Sequence, residues 1–177
     1  MSSAPARSVQ LPVTLAIGFT GHRKLPDEAK SRDAIRRVLL EWKTKAPGPV
    51  YGVTSAASGG DLLFAESCIE LGLPVRVFLP VSKEKFREDF DDASWNRAES
   101  IFERAVSVTV TSSGENRDER YYECGIETVH QSHMLLALWD GKPSQGLGGT
   151  ADVVCLAREM GRPVVWIDSA AGAVREF

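Results

Sequence analysis

The chain has 177 residues, is 43% hydrophobic and 25% charged, and carries a formal net charge of −3. That is the make-up of one globular domain with room for a sizeable core. It excludes a global basic field for nucleic acid, and no basic amphipathic stretch argues for a membrane surface, so any anion site must be local.

Residues 1–12, MSSAPARSVQLP, are small and polar and are expected to form a flexible tail. The apolar run Val13–Phe19 is too short for a signal-peptide core with a cleavage site, and far too short to span a bilayer. It reads as a first strand, buried on both faces. The three cysteines, Cys68, Cys124 and Cys155, are widely spaced with no C-x-x-C pair, so neither a zinc knuckle nor a disulfide framework is indicated. All three sit in helix-like patterns and read as small hydrophobes in a reducing cytoplasm.

Residues 27–45 read as a helix, with Ile35, Val38, Leu39 and Trp42 at helical spacing and Pro47-Gly48-Pro49 as the stop. Val50–Ser55 is the second strand. Asp61 is read as the N-cap of a helix to Leu71, with Gly72 just past its end. Pro74–Pro80 is the third strand, after which Ser82 caps a short helix to Phe90. A further helix places Trp95, Ala98, Ile101 and Phe102 on one side, and Val106–Ser112 is the fourth strand. The polar segment Ser113–Arg120 reads equally as a solvated loop or a lid. A helix over 119–131 follows, then a fifth strand, His133–Asp140. A glycine-rich loop leads to a helix over Thr150–Met160 and a sixth strand, Pro163–Asp168; residues 169–177 read as a tail or short helix.

Alternating strands and helices without repeat or linker predict one α/β domain over 13–168. It is a doubly wound, Rossmann-like fold, with a mostly parallel sheet of about six strands and helices on both faces. In such sheets ligands bind beyond the carboxyl ends of the strands, near the switch in strand order. Functional residues are therefore expected just after the first, second, fourth and fifth strands.

Three loops meet that condition. The first, Thr20–Pro26, contains Thr20, Gly21 for a tight turn or close approach, His22 as a donor, and Arg23, whose fork of donors suits phosphate or carboxylate. The second, Ser55–Glu66, has Ser58, Gly59 and Gly60 in a small-residue run before a helix N-terminus, where N–H groups and the dipole favour an anion. There Asp61 reads as the cap, and Glu66 as facing solvent. The third, Asp140–Val154, ends the strand with Asp140-Gly141. It frees the backbone with Gly146, Gly148 and Gly149, and presents Thr150 to cap the helix or bond a phosphate oxygen. It is neither a Walker loop nor a dinucleotide fingerprint, since it lacks the Lys-Ser/Thr end and follows the fifth strand. His130 and His133 suggest no third metal ligand, and Ser82-x-x-Lys85 lacks the motifs of an acyl-transfer site, so no metal and no cofactor are expected.

With GFTGHRKL, ASGGDLLFAE…LGLPVRVFLP and LLALWDGKPSQGLGGTADVVCLAREMGRPVVWI in place, the chain resembles the SLOG superfamily over residues 13–167, nearest to its bacterial TGHR…ALWDG…GGTA type. That Rossmann-like group includes the LOG phosphoribohydrolases, once labelled lysine decarboxylase-like. It also includes sensor domains for ADP-ribose-type nucleotides in TRPM channels and antiphage effectors. The resemblance implies a nucleotide cleft with phosphate on the glycine-rich loops. Its site would be Gly21, His22 and Arg23; Gly59, Gly60 and Asp61; and Asp140, Gly141, Gly148, Gly149 and Thr150. By family analogy the chain forms a homo-oligomer. One departure stands out. The LOG motif P-G-G-x-G-T-x-x-E ends in a glutamate that assists N-glycosidic cleavage, and here that position is Val153, which can neither move a proton nor stabilise an oxocarbenium ion. Asp152 points about 100° away around the helix, leaving Asp61, Glu66 or Glu123 as carboxylates that another element would have to supply. The expected function is binding or sensing of an AMP- or ADP-ribose-like nucleotide without efficient catalysis, in signalling or phage defence. A phosphoribohydrolase with a relocated carboxylate and a non-catalytic assembly module are the alternatives.

Overall fold

The computed structural model describes residues 13–111, 116–144 and 146–176, so the expected tail at 1–12, residues 112–115, Gln145 and Phe177 lie outside the described residues. The elements in chain order are β1 (Leu15–Gly21), α1 (Glu28–Lys45), β2 (Val50–Thr54), α2 (Gly60–Glu70), β3 (Val75–Leu79), α3 (Lys83–Phe86), α4 (Asp92–Arg104), β4 (Ser107–Val110), α5 (Arg117–His130), β5 (Met134–Trp139), α6 (Thr150–Glu159), β6 (Val164–Asp168) and β7 (Val174–Glu176).

Local chemistry explains most of the boundaries. Helix α1 starts where the Asp27 carboxylate accepts the Lys30 N–H at 2.9 Å. It buries Ala34, Ile35, Val38 and Leu39 on one face and ends at Ala46, before the proline pair. The segment read as a polar loop from Ser113 is half helix. Asn116 accepts from the Glu119 N–H and the Glu119 side chain returns to the Asn116 N–H, a capping box that starts α5 at Arg117. Ser82 occupies the N-cap of α3 but makes no side-chain capping bond.

Six strands run parallel in the order β4-β3-β2-β1-β5-β6, and β7 joins antiparallel to β6 as a seventh. The last strand corrects the expectation of a C-terminal tail. Asp168 Oδ1 accepts the N–H groups of Ala170 and Ala171, both at 2.9 Å, and Gly172 turns the chain back at φ +68°. Three strand residues are too few for a period to be read.

Helices α1, α2 and α4 cover one face, and α5 and α6 the other. The core between sheet and α2 is apolar and dense, with Phe19 stacked on Phe64 at 4.7 Å and Leu62, Leu63, Leu136 and Leu138 fully buried. Cys68 and Cys124 are buried as expected, whereas Cys155 lies on the exposed side of α6. No described helix is long and apolar enough to cross a membrane.

The decisive feature is the strand order. From β1 the chain crosses to β2 on one side, while β5, reached through α5, pairs with β1 on the other, with Thr20 opposite Ala137 and Gly21 opposite Leu138. The loops leaving β1 and β5 therefore diverge, and a crevice opens at their carboxyl ends.

Candidate functional site

A cavity of about 260 Å³ occupies that crevice. Strand β1 supplies Phe19, Thr20 and Gly21 and the loop after it His22 and Arg23, while the β2–α2 connection supplies Ser55 and Ala57 and α2 supplies Asp61. The β5–α6 connection and α6 supply Gly148, Gly149, Thr150 and Val153. The fourth wall is α5, through Tyr121, Cys124, Gly125 and Thr128. Among the described residues, the end of the fourth strand adds nothing to this lining; β4 is the sheet edge, three strands from β1. Helix α5 returns from that edge across the sheet and brings its small residues to the crevice instead. They were missed because a helix interior carries no loop signal.

The second loop does not act as expected. Ser58, Gly59 and Gly60 are not lining residues. Gly59 has φ +89°, and a Cβ there would lie 2.3 Å from the Arg23 carbonyl oxygen. Gly60 donates its N–H to the His22 carbonyl at 3.0 Å, and a Cβ on it would reach the Gly21 Cα at 3.3 Å. These glycines seat α2 against the first loop.

Asp61 is not the N-cap either; that position is Gly59, which has no capping side chain. Asp61 is the second helical residue. Its Oδ2 accepts from the Ser55 hydroxyl at 2.5 Å and the Thr54 hydroxyl at 3.1 Å, and the residue is only 6% exposed. Burial pushes its carboxyl up to about 6, against the opposing pull of the two hydroxyls and the Arg23 charge.

Glu66 was expected to face solvent. It is half-buried between α1, α2 and α4, with Arg32 at 2.6 Å and Arg97 at 2.6 Å. Burial alone would raise its carboxyl, but the two guanidinia outweigh this and hold it below the usual range. It faces away from the cavity, and Glu123 is not a lining residue. Among the described residues, Asp61 is the one carboxylate that lines the cavity.

The β5–α6 loop is folded back onto its own helix. The Gly148 N–H donates to Asp152 Oδ2 at 2.9 Å, and the Asp152 N–H meets Ser144 Oγ at 3.3 Å. Gly148 has φ +83°, and a Cβ there would lie 2.8 Å from the Tyr122 nitrogen, so only glycine lets this loop lie on α5. The N-cap of α6 is Gly149, not Thr150, and it makes no side-chain capping bond. A ten-residue helix thus presents its positive end at the cavity wall.

His22 and Asp140 tie the first loop to the third. The Asp140 N–H donates to His22 Nε2 at 3.1 Å, and the Asp140 carboxylate lies 3.0 Å from the same atom. The Lys142 N–H, which donates to Asp140 Oδ1 at 3.1 Å, is the main group holding the Asp140 carboxyl below its usual range. Asp140 lines a neighbouring depression of about 400 Å³ that shares His22, Arg23, Gly149 and Thr150 with the first. Gly141 lines neither; at φ +81° it turns the chain over the Trp166 ring.

Arg23 is 44% exposed at the cavity rim. Its guanidinium lies 4.9 Å over the Tyr121 ring and 3.8 Å from half-buried Asp89, which also pairs with Arg117. His133, weighed as a metal ligand, accepts the Ala16 N–H on Nδ1 at 2.8 Å and closes the β1–β5 edge.

Val153 lines the cavity yet is 3% exposed, packed with Val129, Leu135 and Ala137. A Cβ on Gly125 would lie 2.8 Å from its methyl, so α5 and α6 approach closely here.

No family model and no curated protein matches the chain. Solved structures do, among them these two. The structure of DNA processing protein A from Helicobacter pylori, described for its single-stranded DNA binding mode, aligns over 86% of this chain and 64% of its own, at 15% identity and a TM-score of 0.61. That of TM1055, a structural-genomics target, aligns over 85% of this chain and 71% of its own, at 14% identity and a TM-score of 0.54. At these identities the likeness is one of fold, and it places the chain among Rossmann-like α/β domains.

Proposed function

We propose that the chain binds a nucleotide or nucleotide derivative, AMP- or ADP-ribose-like, in the manner of a SLOG-type sensor and without efficient cleavage. One observation carries the reading: a single cavity at the switch point brings Arg23 together with the glycine-capped N-terminus of α6, while Val153 stands where a hydrolase of this type keeps its acid. Arg23 offers two donors in one plane and the helix end offers backbone N–H groups, a combination suited to a phosphate group.

The buried carboxyl of Asp61 favours a second reading. At about 6 it sits in the range of a general acid, so hydrolysis of a nucleoside monophosphate with Asp61 as the relocated carboxylate is the alternative. Thermal shift and calorimetry with AMP, ADP-ribose, cyclic ADP-ribose, NAD, cyclic dinucleotides and a single-stranded DNA control test the binding. Stabilisation by at least one nucleotide is expected; a flat panel would leave an assembly module as the better reading. Incubation with AMP followed by chromatography separates the two readings, and release of free adenine would establish the hydrolase.

A further inference from the structure

The cavity is polarised. At its exposed rim are donors, Arg23 and the N–H groups of α6. Its buried end is different. Asp61, Cys124 and Thr128 are 6%, 2% and 3% exposed. The Ser55 hydroxyl spends its hydrogen on Asp61 Oδ2, the Thr128 hydroxyl spends its own on the Cys124 carbonyl at 3.0 Å, and the Cys124 thiol donates to the Phe78 carbonyl at 3.0 Å. What these four side chains offer a ligand is lone pairs. An acceptor-lined floor under a donor-lined mouth demands a ligand with an anion at one end and hydrogen-bond donors at the other.

Resting on the nucleotide reading above, we propose that Asp61 is the specificity-determining residue of this site: it accepts hydrogen bonds from the hydroxyls of a pentose whose phosphate lies toward Arg23 and Gly149-Thr150, so that the ligand class is a ribo- rather than a deoxyribo-phosphate ester. Thr54 and Ser55 hold Asp61 in one rotamer before any ligand arrives, so little ordering remains to be done on binding. A buried carboxyl that burial itself disfavours is an expensive residue to keep in a core, and contact with a ligand supplies a reason for it.

The experiment is calorimetry on the full chain at neutral pH with ribose 5-phosphate, AMP, 2′-deoxy-AMP, 3′-deoxy-AMP and 2′,3′-dideoxy-AMP. The dideoxy compound is expected to bind at least about tenfold more weakly than AMP, as for lost hydrogen bonds to a charged group. In Asp61→Asn that ratio falls toward one, whereas Arg23→Ala weakens all the compounds alike and preserves the ratio. Circular dichroism and melting confirm that each variant folds, and the wild-type ratio needs no variant. Equal binding of AMP and its dideoxy analogue, or an unchanged ratio in Asp61→Asn, would overturn the assignment while leaving the phosphate site standing. Failure of every phosphorylated compound to bind would remove the nucleotide reading and the assignment with it.

Discussion

The β2–α2 and β5–α6 connections look alike in sequence and act differently in space. Each runs through glycines into a helix whose N-cap is glycine without a side-chain bond. In the first, a Cβ at Gly59 would strike the Arg23 backbone and the Gly60 N–H is spent on His22, so the loop is a joint between α2 and the first loop. In the second, a Cβ at Gly148 would strike α5 and the loop is pinned by Asp152, so the helix end is left facing the cavity. Glycine says only that backbone comes close to something; which neighbour it meets decides whether the loop is a joint or a binding surface.

That contrast can be broken at the joint first. Gly59→Ala combines a left-handed backbone with a backbone clash and is expected to cost about 3–4 kcal/mol of stability by urea unfolding. Gly72→Ala, at φ +69° with nothing within 4 Å, should cost only about 1–2 kcal/mol. Equal costs would show that the joint is not tight.

Asp61 comes next. Folding raises its pKa from the ordinary 3.8 to about 6, so the folded chain holds this proton more tightly than the unfolded chain does. The stability this contributes is complete below about pH 3.8 and is lost as pH rises through about 6. Asn stays neutral and keeps an acceptor for Thr54 and Ser55. Asp61→Asn should therefore be more stable than wild type above pH 6, by at most about 3 kcal/mol, with the difference shrinking toward pH 4. A destabilised variant at neutral pH would contradict this.

At the rim, Arg23→Ala should weaken a phosphate ligand by about 1.5–3 kcal/mol, as for a lost charged hydrogen bond. Calorimetry checks this, and unchanged affinity would remove Arg23 from the site. The smallest effect belongs to the pin of the second loop: Asp152→Ala loses the Gly148 N–H bond and should cost about 1 kcal/mol of stability, as for a lost helix cap, read by thermal melting.

Much of this molecule was legible before the fold was seen. The alternation of β-branched runs with helical periods settled the α/β class, and six of the seven strands fall within a residue or two of where the pattern puts them. Thr20, Gly21, His22, Arg23, Asp61, Gly148, Gly149 and Thr150 all line the one cavity. Others were displaced for physical reasons. Asp61 satisfies the preference for an N-cap on paper, but burial beside Thr54 and Ser55 draws it inward. Glu66 looked solvent-facing because its partners Arg32 and Arg97 are 34 and 31 residues away. Tyr121, Cys124, Gly125 and Thr128 sit in a helix that gave no local hint of a site.

By itself the sequence determined the periods, the breaks and the chemistry available at each strand end, because those depend on neighbours along the chain. Only the tertiary structure decided which groups share a cavity. The β4-to-β5 crossover carries α5 over the switch point, and long-range packing there brings Tyr121, Cys124, Gly125 and Thr128 into the same cavity wall as Arg23, Asp61 and Val153.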